Sequence, residues 1–115
     1  MKTEINVGRD FSPVPAGRRK EDGPFSGESF RERFLTDAIR NNVKVTVDLS
    51  GTEGYGSSFL EEAFGGLVRE LGLPAHKIRS LLKLETKDPR FRSYVDEAYS
   101  YLDRANKQDD ATERK

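Results

Sequence analysis

Val43-Lys44-Val45-Thr46-Val47-Asp48-Leu49 runs through Ser50-Gly51-Thr52-Glu53-Gly54-Tyr55-Gly56 into Ser57-Ser58-Phe59-Leu60-Glu61-Glu62-Ala63-Phe64-Gly65-Gly66-Leu67. The first seven residues alternate apolar with polar, and the apolar ones are mostly β-branched, which predicts a strand with one buried face. The glycine-rich middle is a turn. Beyond it Leu60, Ala63, Phe64, Leu67, Val68 and Leu71 recur with helical period. They predict a helix from Ser58 to Leu71, stopped by Gly72 and Pro74. A strand feeding a helix through a tight turn is the first half of a crossover, and crossovers build parallel sheets.

The flanks repeat this alternation. Thr3 to Val7 predicts a first strand with Ile5 and Val7 on one face, and Phe11 opens a second short extended piece before Pro13 and Pro15. Ala16 to Gly27 is charged and rich in turn-formers, hence a loop. A helix follows from Ser26 or Ser29, where Ser29-x-x-Glu32 has the form of a capping box. Phe30, Phe34, Leu35, Ala38 and Ile39 form its apolar face, with Arg31, Glu32, Arg33 and Asp37 opposite, and Asn41-Asn42 ends it. Ile78, Leu81, Leu82 and Leu84 predict a further strand. Asp88-Pro89 then starts a helix that buries Phe91, Tyr94, Val95, Ala98 and Leu102. The expected fold is α/β, a mixed and mostly parallel sheet of about four strands with helices packed against it. Residues 1–106 make one domain, followed by a charged, frayed tail at 107–115.

Twenty Lys and Arg balance twenty Asp and Glu, so the chain lacks the basic excess of a typical nucleic-acid binder. No cysteine is present, and His76, placed in a loop, is the sole histidine. Thiol chemistry, disulfides and multi-histidine metal sites are therefore excluded, and no cofactor is implied. The N-terminal residues lack an apolar leader and no long apolar run occurs, so a cytoplasmic protein without membrane contact is expected.

Two serines at the start of a helix stand where unpaired backbone N–H groups and the helix dipole favour negative charge. Ser57 or Ser58 therefore suits a phosphoserine or a bound anion; ordinary helix capping by Ser is the plainer alternative. Gly65-Gly66 inside the helix costs helix stability, which predicts a close neighbour at that backbone. Glu61 and Glu62, adjacent on a helix, point in different directions and are not expected to act as a catalytic pair. Asp48 ends a strand at the carboxyl edge, where open α/β sheets place their sites.

Gly17-Arg18, Phe25-Ser26-Gly27-Glu28-x-Phe30-Arg31 and Gly56-Ser57-Ser58-Phe59-Leu60-Glu61-Glu62-Ala63-Phe64-Gly65-Gly66-Leu67 together resemble an uncharacterised STAS-like family, over residues 2–85. STAS domains have the anti-sigma-factor antagonist fold, with a strand ending in an Asp-Ser-Ser-Gly type turn at a helix start. The resemblance implies a regulatory, non-enzymatic module that binds a protein partner, a kinase of the histidine-kinase-like ATPase fold, and is switched by phosphorylation of the second serine, here Ser58. Gly56 stands where the family carries Asp, and Phe59 where it carries Gly. Ser57 and Ser58 are thus the modification or anion candidates, and Asp48, Tyr55, Gly56, Phe59, Glu62, Arg18 and Glu28 the partner-binding candidates. The alternative is a nucleotide- or anion-binding domain, or a small enzyme, using Arg18, Glu28, Asp48 and the Ser57-Ser58 helix start.

Overall fold

The computed structural model describes residues 2–113, with side chains described through Ala105. Three strands form one sheet in the order β1 (Glu4–Asn6), β2 (Val45–Asp48), β3 (Leu82–Glu85), and both pairings are parallel. Register places Val47 between Ile5 and Leu84, and Asp48 between Asn6 and Glu85. Because side chains alternate across a strand, Ile5, Val45, Val47, Leu82 and Leu84 share the face that packs under the helices, and all five are buried. Glu4, Asn6, Thr46, Asp48, Lys83 and Glu85 share the other face. That face is polar and, Asp48 apart, exposed or half-buried, which suits a parallel sheet that is not buried on both sides.

The sheet has one strand fewer than expected. The chain does not extend at Phe11: α1 (Val7–Asp10) forms instead, because the Asn6 side chain caps it by accepting from Arg9 N at 2.9 Å. Phe11 then turns inward against Phe30 and Phe34, with ring centroids 5.3 and 6.0 Å away. Ser26, not Ser29, caps the next helix, accepting from Ser29 N. That helix runs as α2 (Gly27–Phe30), a π-turn over Arg31–Leu35, and α3 (Thr36–Arg40). Asn42 ends the turn behind it with φ of 60°.

The second long helix has the same three-part build: α4 (Ser57–Leu60), a π-turn over Glu61–Gly65, and α5 (Gly66–Leu71). Gly72 closes it in the left-handed conformation, φ 66°, as a C-terminal glycine should. Ile78 and Leu81 belong not to a strand but to α6 (Ala75–Leu81), which also carries the exposed His76; the strand begins only at Leu82. Asp88 caps the following turn through Arg90 N, with Pro89 at its first position, and α7 (Arg92–Glu113) lies across the helical layer. Val95, Ala98 and Leu102 are buried, Phe91 and Tyr94 half-buried. The tail expected at 107–115 lies outside the residues whose side chains are described. Among the described residues no helix is long and apolar enough to cross a membrane.

Candidate functional site

Gly56 is the N-cap of α4, with φ −80° and ψ 154°, and no side chain caps this helix. Ser57 and Ser58 are therefore the first two helical residues, not the cap, and both are exposed. The Ser57 hydroxyl faces the Tyr101 phenol and favours its ionised form, against the burial and the Glu97 carboxylate that push it up. The Ser58 hydroxyl has no side-chain hydrogen bond among the described residues.

Behind the serines the helix widens. Gly66 N reaches back five residues to Glu61 O, instead of four to Glu62 O. The Glu62 carbonyl accepts from the Arg31 guanidinium instead, Nη1 to O at 2.6 Å. The same nitrogen donates to Glu62 Oε2 at 2.7 Å, and both side chains are almost wholly buried, at 2% and 3% exposure. Arg31 lies in the other π-turn, where Thr36 N likewise reaches back five residues to Arg31 O. Two π-turns thus meet face to face through one buried ion pair, a local geometry often found at functional sites. The sequence pattern put Arg31 on the solvent side of its helix; it is instead the largest of the fully buried side chains.

Gly65-Gly66 has the expected close neighbours, all from within the domain. A Cβ on Gly66 would lie 2.1 Å from Arg31 Nη1, and one on Gly65 would lie 2.6 Å from Glu61 Oε2 and 3.3 Å from Tyr101 O. Gly27 packs so closely on this helix that its Cβ would sit 2.5 Å from Phe59 O. The loop before it docks through Gly27 N to Gly17 O and Glu28 N to Arg18 O, at 2.9 and 3.0 Å. Gly17-Arg18, Ser26-Gly27-Glu28 and the Phe59–Gly66 stretch are distant in sequence and adjacent in space.

Arg18 projects from that loop onto Glu61 Oε1 at 2.5 Å and Glu62 Oε1 at 3.4 Å, and Arg69 grips Glu61 from the other side at 2.5 and 3.0 Å. The two glutamates therefore do converge, through shared arginines, although their Cα–Cβ bonds diverge. Burial alone would raise both carboxyls. Arg69 and Arg18 outweigh it at Glu61, and Arg31 does so at Glu62, so each stays below the ordinary carboxylate range. Carboxylates locked this firmly are poor proton carriers.

The other candidates divide between two places. Glu28 stays with Arg18's loop, accepting from Lys20 N at 2.9 Å. Asp48 lies on the open sheet face, 7% exposed, in a cavity of about 320 Å³ lined also by Asn6, Arg9, Ser50, Glu85 and Lys87. Burial raises its carboxyl, but bonds from Ser50, Asn6 and the Lys87 backbone more than offset this and hold it below its ordinary range. Asp48 therefore ties the ends of the three strands together. Asp48 and Arg18 line different cavities. Tyr55 is buried and donates to Leu49 O at 2.6 Å, within an aromatic cluster of Phe59, Phe91 and Tyr94. Tyr55, Phe59 and Glu62 are interior as folded and offer a partner nothing directly. Gly56, Ser57 and Ser58 are exposed, and Arg18 and Glu28 are half-exposed.

A family model described as STAS-like domain of unknown function (DUF4325) matches residues 26–89, 64 of the 115 residues. The matched region runs from the Ser26 cap through both π-turns to Pro89. No curated protein and no solved structure matches the chain.

Proposed function

Because the chain belongs to the STAS-like family DUF4325, we propose that it is a regulatory module that binds a protein partner and is switched by phosphorylation of Ser58. The partner is a kinase of the histidine-kinase-like ATPase fold. One observation carries the proposal: Ser58 is exposed in the first turn of the central helix, with a hydroxyl that has no structural task. A phosphate there adds about −1.5 to −2 charge at pH 7. The unpaired N–H groups of the first turn favour that charge by roughly 1 kcal/mol. Glu61 and Glu62, one turn on, oppose it weakly, because each is already paired with arginine. Phosphorylation then changes the charge of the exposed face without melting the helix. Binding without catalysis is supported by Asp48 lining a cavity on the sheet face that neither Arg18 nor Glu28 lines.

The test uses the full chain as wild type, Ser58→Ala and Ser58→Asp. Each is captured from native extract, with mass spectrometry of the wild-type chain. Wild type should carry phosphoserine at 58 and recover an ATPase of this fold. Ser58→Ala should retain that partner under phosphorylating conditions, and Ser58→Asp should weaken its recovery. Absence of phosphoserine with equal recovery by all three proteins would rule out the switch.

A further inference from the structure

β1 is an outer strand, and its free edge is only partly closed. Its register turns the backbone groups of Thr3 and Ile5 toward β2, with Thr46 N donating to Thr3 O at 2.8 Å. Alternation along a strand then turns the N–H and C=O of Glu4, and the N–H of Asn6, outward. Asn6 N is taken by Asp10 Oδ2 at 2.9 Å, and Arg9 holds that carboxylate through Nε and Nη2, each at 3.0 Å. The outward pair of Glu4 has no bond among the described residues. Side chains along this edge carry unmatched charge of both signs. Lys2 lies 3.9 Å from Asp10, which Arg9 already holds, and Asp37 lies 3.9 Å from Arg40. Glu4 is exposed, with no cation within ion-pair distance among the described residues. Arg33 is exposed too and stacks over the Phe11 and Phe34 rings, Cζ to centroid 5.3 and 5.2 Å, likewise without a carboxylate. Lys2, Arg33, Phe34, Asp37 and Ala38 line a recess of about 200 Å³.

An outer strand with a free N–H and C=O is a template for another strand. A second copy that meets it across a two-fold axis pairs antiparallel. Glu4 opposite Glu4, or Lys2 opposite Lys2, sets like charges together, which destabilises the pair. Any register that uses the edge of Asn6 needs the amide that Asp10 occupies. Lys2 opposite Glu4, with the axis at Thr3, avoids both obstacles and sets opposite charges across the strands twice. We propose that the chain forms a two-fold dimer in this register, joining two three-stranded sheets edge to edge. The surface is self-complementary, as such an interface requires. Lys2 meets Glu4 on each side of the axis, and the recess turns the unmatched Arg33 toward Asp37 of the second copy. Asp10 fixes the register by closing the rest of the edge. The dimer does not depend on the switch at Ser58, so the two stand or fall separately.

Sedimentation equilibrium on the full chain, up to a concentration of about 2 mM, tests it alongside hydrogen exchange at the Glu4 amide. Wild type should pass from monomer to dimer with a Kd of roughly 0.1–1 mM, the weak end suited to a small interface. Exchange at Glu4 should slow as the concentration rises. Glu4→Lys sets lysine against lysine on both sides of the axis and should weaken association about tenfold. Lys2→Glu combined with Glu4→Lys restores opposite charges and should return the Kd to within about threefold of wild type. Both positions are exposed, so circular dichroism of these variants should match wild type. A wild-type chain that stays monomeric throughout would overturn the proposal. So would a dimer that is indifferent to Glu4→Lys, one that the double variant fails to restore, or one that leaves exchange at Glu4 unchanged.

Discussion

At Gly66 the absence of one methyl group makes room for a charged group. Arg31 Nη1 occupies the place of the missing Cβ, which would also lie 3.2 Å from Glu62 Oε2. Alanine normally favours a helix interior by about 1 kcal/mol over glycine. Here that gain is outweighed, because the guanidinium is buried and held at both a carbonyl and a carboxylate. Gly66→Ala should destabilise the fold by roughly 2–3 kcal/mol, within the range of overpacked cores, seen as a lower urea midpoint. Gly56→Ala, where nothing lies within 4 Å of the new carbon, should cost less than about 1 kcal/mol, the preference of an N-cap for glycine over alanine. Equal effects at the two glycines would mean that the Arg31 slot is not rigid. The glycine pair was the one legible sign of this site, since it pointed to a close neighbour without identifying it. Arg31 itself was not legible, because its burial depends on Glu62, thirty-one positions away, which no local period reports.

At the scale of elements, strand β2 and the helix over residues 57–71 were legible because each buries one face with its own strict period. The stretch from Ile78 to Leu84 was not. Ile78, Leu81 and Leu82 are spaced by three and four, a helical pattern, while Leu82 and Leu84 are spaced by two, and the apolar residues alone do not mark where one period gives way to the other. The π-turns also escaped, since they add a residue to a helix turn without altering which residues are apolar. The exposed edge of β3 is protected by α7: Leu84 N donates to the Tyr99 hydroxyl at 2.8 Å. An unpaired strand edge is a template for association. Tyr99→Phe should cost about 1 kcal/mol, the scale of one lost hydrogen bond, and speed hydrogen exchange at the Leu84 amide. An unchanged exchange rate there would show that α7 covers the edge by packing alone.

At the scale of the whole molecule, charge couples the fold to pH. Asp48, Glu61 and Glu62 are partly or wholly buried, and each is held below its ordinary pKa by the bonds described above, against the opposing effect of burial. A carboxyl lowered on folding stabilises the fold in full above its unfolded pKa, and that contribution is lost as pH falls through the folded value. Stability should therefore be flat from neutral pH down to about 5 and fall steadily below about 4.5, the ordinary range of these groups. Urea midpoints measured at intervals from pH 7 to pH 3 would show it. Two variants isolate the buried pair. Glu62→Gln leaves the Arg31 charge uncompensated and should cost about 3–5 kcal/mol at neutral pH, with a shallower acid slope. The double replacement Arg31→Met with Glu62→Leu removes both charges together, which in other proteins has been close to neutral for stability. It should keep most of the stability at pH 7 while losing the part of the acid slope that Glu62 supplies. If instead the double variant keeps the full wild-type slope, the acid sensitivity resides in the other lowered carboxyls, Asp10, Asp48, Glu61 and Asp88, and the pair that joins the two π-turns holds geometry without responding to pH.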